Sequence, residues 1–208
     1  MIQEKLGFEW DTPNVIAAFA LNTKLIKKMK DAGCYKMNLA IESGNSDVLK
    51  NIIKKPLNLD KVKPLVEYAR SINLDVGMFL VMGLPGETIE QMWDSFRFAK
   101  DLKIYDPFIS IATPYPGSEL YDTCLKEGYI SEDYSLDDLY ISSFSISTKD
   151  WKSQDLSKTF TEGCLYLKKY FYREHPLIFL KDAIRNLFND PLGLIRKIFR
   201  VLKIKPGK

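Results

Sequence analysis

The chain has 208 residues, 46% hydrophobic and 27% charged, with a net charge of +3. That length holds one domain with a sizeable core plus an appendage, and the composition is that of a globular protein rather than a disordered one. So small a net charge points away from a nucleic-acid partner, no apolar run approaches the ~18 residues of a membrane span, and the start, "MIQEKLGFEW", is too polar for a secretory leader.

In chain order, "PNVIAAF" reads as a first strand, centred on residues 14–19. Asn22 can cap a helix that Gly33 stops, with Leu25, Ile26 and Met29 on one face. "KMNLAI", Lys36 to Ile41, is a second strand, and Asn45 or Ser46 can cap a short helix through Ile53. A longer helix runs from Asn58 to Ile72, with Val62, Leu65, Val66 and Ala69 at helical spacing. Pro64 inside it predicts a kink. "LDVGMFLVM", Leu74 to Met82, reads as a continuously buried strand. Thr88 with Gln91 forms a capping box, and Met92, Trp93, Phe96 and Ala99 make the buried face of the helix it opens. "PFISIAT", Pro107 to Thr113, is the last strand.

Beyond it, Ser118 to Glu127 is a helix ended by Gly128. Residues 129–150 are loop-rich and acidic, with Glu132, Asp133, Asp137 and Asp138. A helix from Ser153 to Tyr172 places Leu156, Thr159, Phe160, Cys164 and Leu167 on one face. This divides the chain into an α/β part, 1–128, and a mostly helical extension, 129–208.

Strands alternating with helices make βαβ units and a parallel sheet, whose ligands bind beyond the carboxyl ends of the strands. Three motifs fall there: "ESGN" after Ile41, "GLPGE" after Met82 and "TPYPGSE" after Ala112. Gly83 and Gly86 let backbone amides approach a ligand without a Cβ in the way. Glu87 is favoured beside a helix N-terminus. The spacing is neither a phosphate loop nor a dinucleotide fingerprint. Taken alone, the joint is a turn or a site. Glu42 can accept hydrogen bonds from ribose hydroxyls or an ammonium group, or it can, with Ser43, merely support the next helix. Tyr115 can stack on a base or cover the mouth of the sheet.

Cys34, Cys124 and Cys164 form no local metal motif, and their wide spacing fits a reducing, cytoplasmic compartment. Cys34 reads as a small buried hydrophobe, and the single histidine, His175, as a helix-end residue.

The stretches "TPNVIAAFALNTKLIKKMKDAGC", "MKDAGCYKMNLAIESGNSDVLKNIIKK", "DVGMFLVMGLPGETIEQMWDSFRFAKDL" and "ATPYPGSELYD" resemble, in order and spacing, the second half of a radical S-adenosylmethionine domain. The likeness spans residues 8–125 and is greatest to enzymes with an upstream cobalamin-binding domain. It implies the C-terminal portion of a partial (β/α)6 TIM-like barrel, with four parallel strands, plus a helical extension. It also implies an S-adenosylmethionine pocket lined by Glu42, Ser43, Lys55, Gly83, Gly86, Thr113, Pro114 and Tyr115. "IESG" would lie near the ribose and amino-acid part, "GLPGE" behind the adenine, and Lys55 toward the cofactor carboxylate.

The family's chemistry uses a CxxxCxxC loop whose thiolates hold a 4Fe-4S cluster. The cluster passes an electron to the sulfonium and yields a 5′-deoxyadenosyl radical. This sequence contains no CxxxCxxC. The expectation is that roughly 60 or more residues of barrel lie outside it. Two readings stay open. The chain is the C-terminal part of such an enzyme, either a truncated gene product or one half of a split enzyme whose other half, an N-terminal half barrel on a separate chain, carries the cluster; alone it is inactive and binds S-adenosylmethionine weakly. Alternatively it is a non-catalytic half-barrel binding module. The resemblance leaves the substrate unnamed and cobalamin possible.

The end, "PLGLIRKIFRVLKIKPGK", places Ile195, Ile198, Phe199 and Leu202 on one helical face and Arg196, Lys197, Arg200 and Lys203 on the other. Such a helix can lie peripherally on an anionic membrane, or dock its apolar face on the barrel or a partner.

Overall fold

The computed structural model describes residues 2, 7–131, 134 and 144–189. The acidic residues Glu132, Asp133, Asp137 and Asp138 and the basic end from residue 190 lie outside the described residues.

The first strand is not continuous. It is two short pieces, β1 (Trp10–Asp11) and β2 (Ile16–Ala17), which both pair in parallel with β3 (Cys34–Glu42). Between them Pro13 and Asn14 make a turn closed by the Val15 N–H on the Thr12 carbonyl at 3.1 Å. Proline donates no ladder hydrogen bond and asparagine favours turns, so the expected strand over 14–19 breaks there. A 3-10 turn, Ala18–Ala20, then leads to α1 (Thr23–Asp31).

Asn22 caps α1, its Oδ1 accepting from Leu25 N–H at 3.0 Å. Ile26 and Met29 are buried, whereas Leu25 is exposed. Gly33 ends the helix with φ +94, and a Cβ there would sit 2.0 Å from the Phe8 carbonyl oxygen. After β3 come a π-turn at Val48–Ile53, a 3-10 turn at Leu59–Lys61, and α2 (Val62–Ser71). The expected helix from Asn58 is therefore two pieces, and Pro64 falls in the first turn of α2. Its missing N–H has no helical partner there, so no kink is needed.

β4 (Asp75–Met82) pairs with β3 and β5 (Phe108–Ile111) pairs with β4, both in parallel. The sheet order, β1 and β2, then β3, β4, β5, gives four strand positions of a half barrel. α3 (Ile89–Asp101) starts with the capping box of Thr88 and Gln91 and buries Met92, Trp93, Phe96 and Ala99. α4 (Glu119–Lys126) follows, capped by Ser118.

One face of the sheet is dry. Met37, Leu39 and Ile41 of β3 and Val76, Met78, Leu80 and Met82 of β4 alternate onto it, each no more than 5% exposed, in one core with side chains of α1, α2 and α3. α5 (Ser153–Glu174) lies along α3: Gly163 meets the Phe96 ring and Tyr166 stands edge-on to Trp93 at 5.7 Å. α6 (Pro176–Asn189) then turns back on α5, with His175 at the joint.

Candidate functional site

At its carboxyl end β3 carries a bulge. Its pairing with β4 slips between Ala40 and Glu42, and Glu42 takes φ +72. A non-glycine residue held there costs on the order of 1 kcal/mol, and a bulge re-aims the side chain. Glu42 Oε1 meets Lys55 Nζ at 2.9 Å. The π-turn makes this possible: Lys54 turns left-handed, and the Lys55 N–H closes onto the Leu49 carbonyl at 2.8 Å. The side chain of Lys55 is 10% exposed and that of Glu42 28%, so the pair is partly desolvated yet open on one side. Such a pair can exchange partners, its carboxylate taking an ammonium and its ammonium a carboxylate. Those are the two charges of an α-amino acid.

Ser43 is fully buried, and its Oγ accepts from the Asn45 N–H at 3.1 Å, so its hydroxyl braces the turn. Gly44 lets this loop lie against α3, donating to Ser95 Oγ at 2.9 Å.

The "GLPGE" loop is closed on itself. Glu87 Oε2 accepts from the amides of Gly83 at 2.9 Å and Leu84 at 3.3 Å. The side a Gly83 Cβ would occupy is filled by Leu156 of α5, at 2.6 Å. This corrects the expectation of a Gly83 amide offered to a ligand: that N–H is already spent. Gly86 is more open, its nearest neighbour being Ile52 of the π-turn at 3.6 Å. Glu87 itself is 1% exposed, and burial pushes its carboxyl up to about 7 against the two amide bonds that pull it down. Its Oε1 is buried with no hydrogen-bond partner among the described residues. The sequence reading took Glu87 only as a charge at a helix start. The available signal was a carboxylate four residues after a glycine, within reach of that glycine's amide.

Beyond β5, Thr113 is buried with its hydroxyl donating to the Ile111 carbonyl at 3.0 Å, and Pro114 is buried beside it. Tyr115 is 49% exposed, with its carbonyl fixed by Ser118 Oγ at 2.6 Å. The structure thus joins Glu42 to Lys55 and places Gly86 against the same π-turn, while the Thr113–Tyr115 loop stands two strands from Glu42.

The open face of the sheet escaped the sequence reading. Phe79 and Phe108 stack there, centroids 5.5 Å apart and planes 16° from parallel, and Phe108 is 58% exposed. With Asp11, Pro13 and Asn38 they line a groove of ≈ 610 Å³. Asn38 is pinned across this face, its Nδ2 donating to the Thr12 carbonyl at 3.0 Å. Gly77 makes room, since a Cβ there would meet Asn38 Oδ1 at 2.1 Å.

These residues do not fit an iron–sulfur cluster. Cys34 starts β3, at the end of the strand remote from Glu42, Cys124 is in α4 and Cys164 in α5. Burial pushes the Cys34 and Cys124 thiols up, the latter to about 11, whereas a metal ligand must be a thiolate. Among the described residues, no three His, Cys, Asp or Glu side chains gather as a metal set.

Comparison with known proteins places this geometry. Residues 4–99 match the model of the radical SAM superfamily. Over 139 residues the chain is 36% identical to cytidylyl-2-hydroxyethylphosphonate methyltransferase of Streptomyces wedmorensis, covering 64% of this chain and 26% of that one. Over 197 residues it is 27% identical to an uncharacterized methyltransferase of Pyrococcus horikoshii, covering 95% of this chain and 38% of that one. Bacteriochlorophyllide d C-8(2)-methyltransferase of Chlorobaculum tepidum is 28% identical over 107 residues, 51% of this chain and 24% of its own. The chain thus spans well under half the length of these relatives. In fold it is similar to coproporphyrinogen III oxidase of Escherichia coli, described as a radical SAM enzyme, with a TM-score of 0.52 and 14% identity over 74% of this chain and 31% of that one. It is through residues 4–99 that this chain carries its likeness to the radical SAM superfamily.

Proposed function

We propose that this chain supplies the S-adenosylmethionine-facing strand ends of a radical S-adenosylmethionine methyltransferase. The Glu42–Lys55 pair carries the reading: a strained, re-aimed carboxylate and a nearly buried ammonium, 2.9 Å apart at a strand's carboxyl end, in a chain with this likeness. Glu42 would receive the cofactor's ammonium or ribose hydroxyls, Lys55 its carboxylate, and Tyr115 a face of the adenine. The bound cofactor supplies an activated sulfonium. The Phe79–Phe108 groove would take a flat apolar part of the substrate. Methyl transfer is supported by the names of the methyltransferases to which the chain is similar. The cluster, and a cobalamin if one takes part, would be held by residues outside this sequence, on the same chain or another, in a cytoplasmic enzyme.

One observation favours the second reading, a half-barrel module without catalysis. The Gly83 and Leu84 amides are satisfied by Glu87, so neither amide needs a ligand.

Calorimetry separates the two. Two missing charge-assisted contacts at about 1.5–3 kcal/mol each leave the isolated chain with a high-micromolar to millimolar affinity for S-adenosylmethionine, as an order of magnitude. Glu42→Gln and Lys55→Met should each weaken it about tenfold. Binding indifferent to both changes, or absent in the wild type, would favour the module.

A further inference from the structure

Helix α6 wears its apolar side outward. It packs on α5 through Phe179, edge-on to Tyr172 at 5.3 Å, and through Asp182, which accepts from the Tyr172 hydroxyl at 3.0 Å. Leu177, Leu180, Ile184 and Phe188 recur at helical spacing on the opposite side, 80%, 54%, 49% and 83% exposed. A helix of a globular protein normally buries such a stripe and exposes its polar face. A contiguous exposed stripe marks a contact surface.

Charge says what the surface meets. Lys181 and Arg185 are exposed along one flank of the stripe. From Arg173 to Lys208 the sequence holds nine Lys and Arg against three Asp and Glu, while the remainder holds twenty-one against twenty-four. All the excess positive charge therefore sits at this end. A second copy carries the same excess of positive charge, which repels. An anionic surface attracts it.

We propose that α6 lies in the interface of an anionic lipid bilayer, with Leu177, Leu180, Ile184 and Phe188 among the acyl chains and Lys181 and Arg185 extended to the headgroups. Long basic side chains beside an apolar stripe snorkel in this way, and anionic headgroups add attraction for each. The contact is peripheral: among the described residues, no helix is long and apolar enough to cross a membrane. It is independent of the cofactor site, since α6 lies on α5 and away from the strand ends.

The test is cosedimentation of the full chain with vesicles of phosphatidylcholine alone and of phosphatidylcholine mixed with phosphatidylserine. The chain should sediment with the mixed vesicles only. Raising salt from about 0.1 M to about 1 M, which shortens the screening length from ~10 Å to ~3 Å, should release it. Leu177→Glu with Ile184→Glu alters exposed positions, so circular dichroism should be unchanged while partitioning falls about tenfold or more. Equal sedimentation of wild type and variant would overturn the proposal. So would a dimer in solution that Leu177→Glu dissociates, which would assign the stripe to a second copy. A monomer that ignores both vesicles would overturn it too, by showing the stripe covered from within the chain.

Discussion

The indole N–H of Trp151 donates to the backbone carbonyl of Glu87 at 2.7 Å, joining positions 64 residues apart. Both residues are buried, and Leu156 on the same segment fills the space above Gly83. The segment before and within α5 therefore clamps the "GLPGE" loop. Trp151→Phe removes the donor and leaves that carbonyl unpaired, at a cost of about 1–3 kcal/mol. Urea unfolding should show it as a lower midpoint, with faster hydrogen exchange at the Gly83 and Leu84 amides. An unchanged midpoint would deny the clamp.

Glu87 makes stability depend on pH. Its carboxyl titrates near 4.5 when exposed and is pushed up to about 7 in the fold. Between those values the native state binds the extra proton, so stability falls as pH rises through that window. Ionising the buried group costs about 3 kcal/mol once pH passes 7. Glu87→Gln keeps an acceptor for the two amides and cannot ionise. Melts at pH 5 and pH 8 should differ less in this variant than in the wild type. An equal difference would place the dependence elsewhere.

Glu42 holds its left-handed backbone at the expense of stability. Glu42→Gly relieves strain on the order of 1 kcal/mol, which offsets the loss of a partly exposed ion pair of similar worth. The variant should therefore melt close to the wild type while losing affinity for S-adenosylmethionine. A large drop in melting temperature would make Glu42 a structural residue.

Gly163 is the contact point of α5 on α3. A methyl group there would lie 2.1 Å from Cε2 and Cζ of the fully buried Phe96. Overpacking of this kind costs about 1–3 kcal/mol, more than the ~1 kcal/mol that alanine gains over glycine in a helix. Gly163→Ala should destabilise, and Gly163→Ala with Phe96→Leu should recover part of the loss.

Reconstitution of the chain with iron and sulfide should give no stable 4Fe-4S absorption, because Cys34, Cys124 and Cys164 sit on three different elements. A stoichiometric cluster lost on changing any one cysteine would contradict this.

What the sequence made legible was local. The Asn22 cap and the Thr88–Gln91 box rest on contacts a few residues apart, and each is present; the parallel strands followed from the alternation of strand and helix along the chain. The errors came where a local signal had two meanings. Pro13 and Asn14 were read through as strand, and Pro64 as a kink although it opens a helix. In "VGMFLVM", Val76 to Met82, every residue looks apolar, yet only alternate ones face the helices, which hid Phe79 and the groove it shares with Phe108. The Glu42–Lys55 contact was half visible. Both residues were singled out, but their meeting depends on a turn whose hydrogen-bond spacing no short pattern encodes. The clamp of Trp151 on Glu87 spans too much sequence to be read from either end.

The π-turn at Val48–Ile53 has a consequence for how this region can vary. A π-turn holds one residue more than the α-turn it replaces, and each residue of an α-helix advances about 100° around the axis. Deleting a single residue between Val48 and Ile53 would let the segment relax to an α-turn and swing Lys55 away from Glu42, without changing either side chain. Substitutions on the outside of this turn are tolerable; changes in its length are not. The spacing between the bulge and the lysine is thus a ruler, and the position of the ammonium is measured in residues rather than in chemical type.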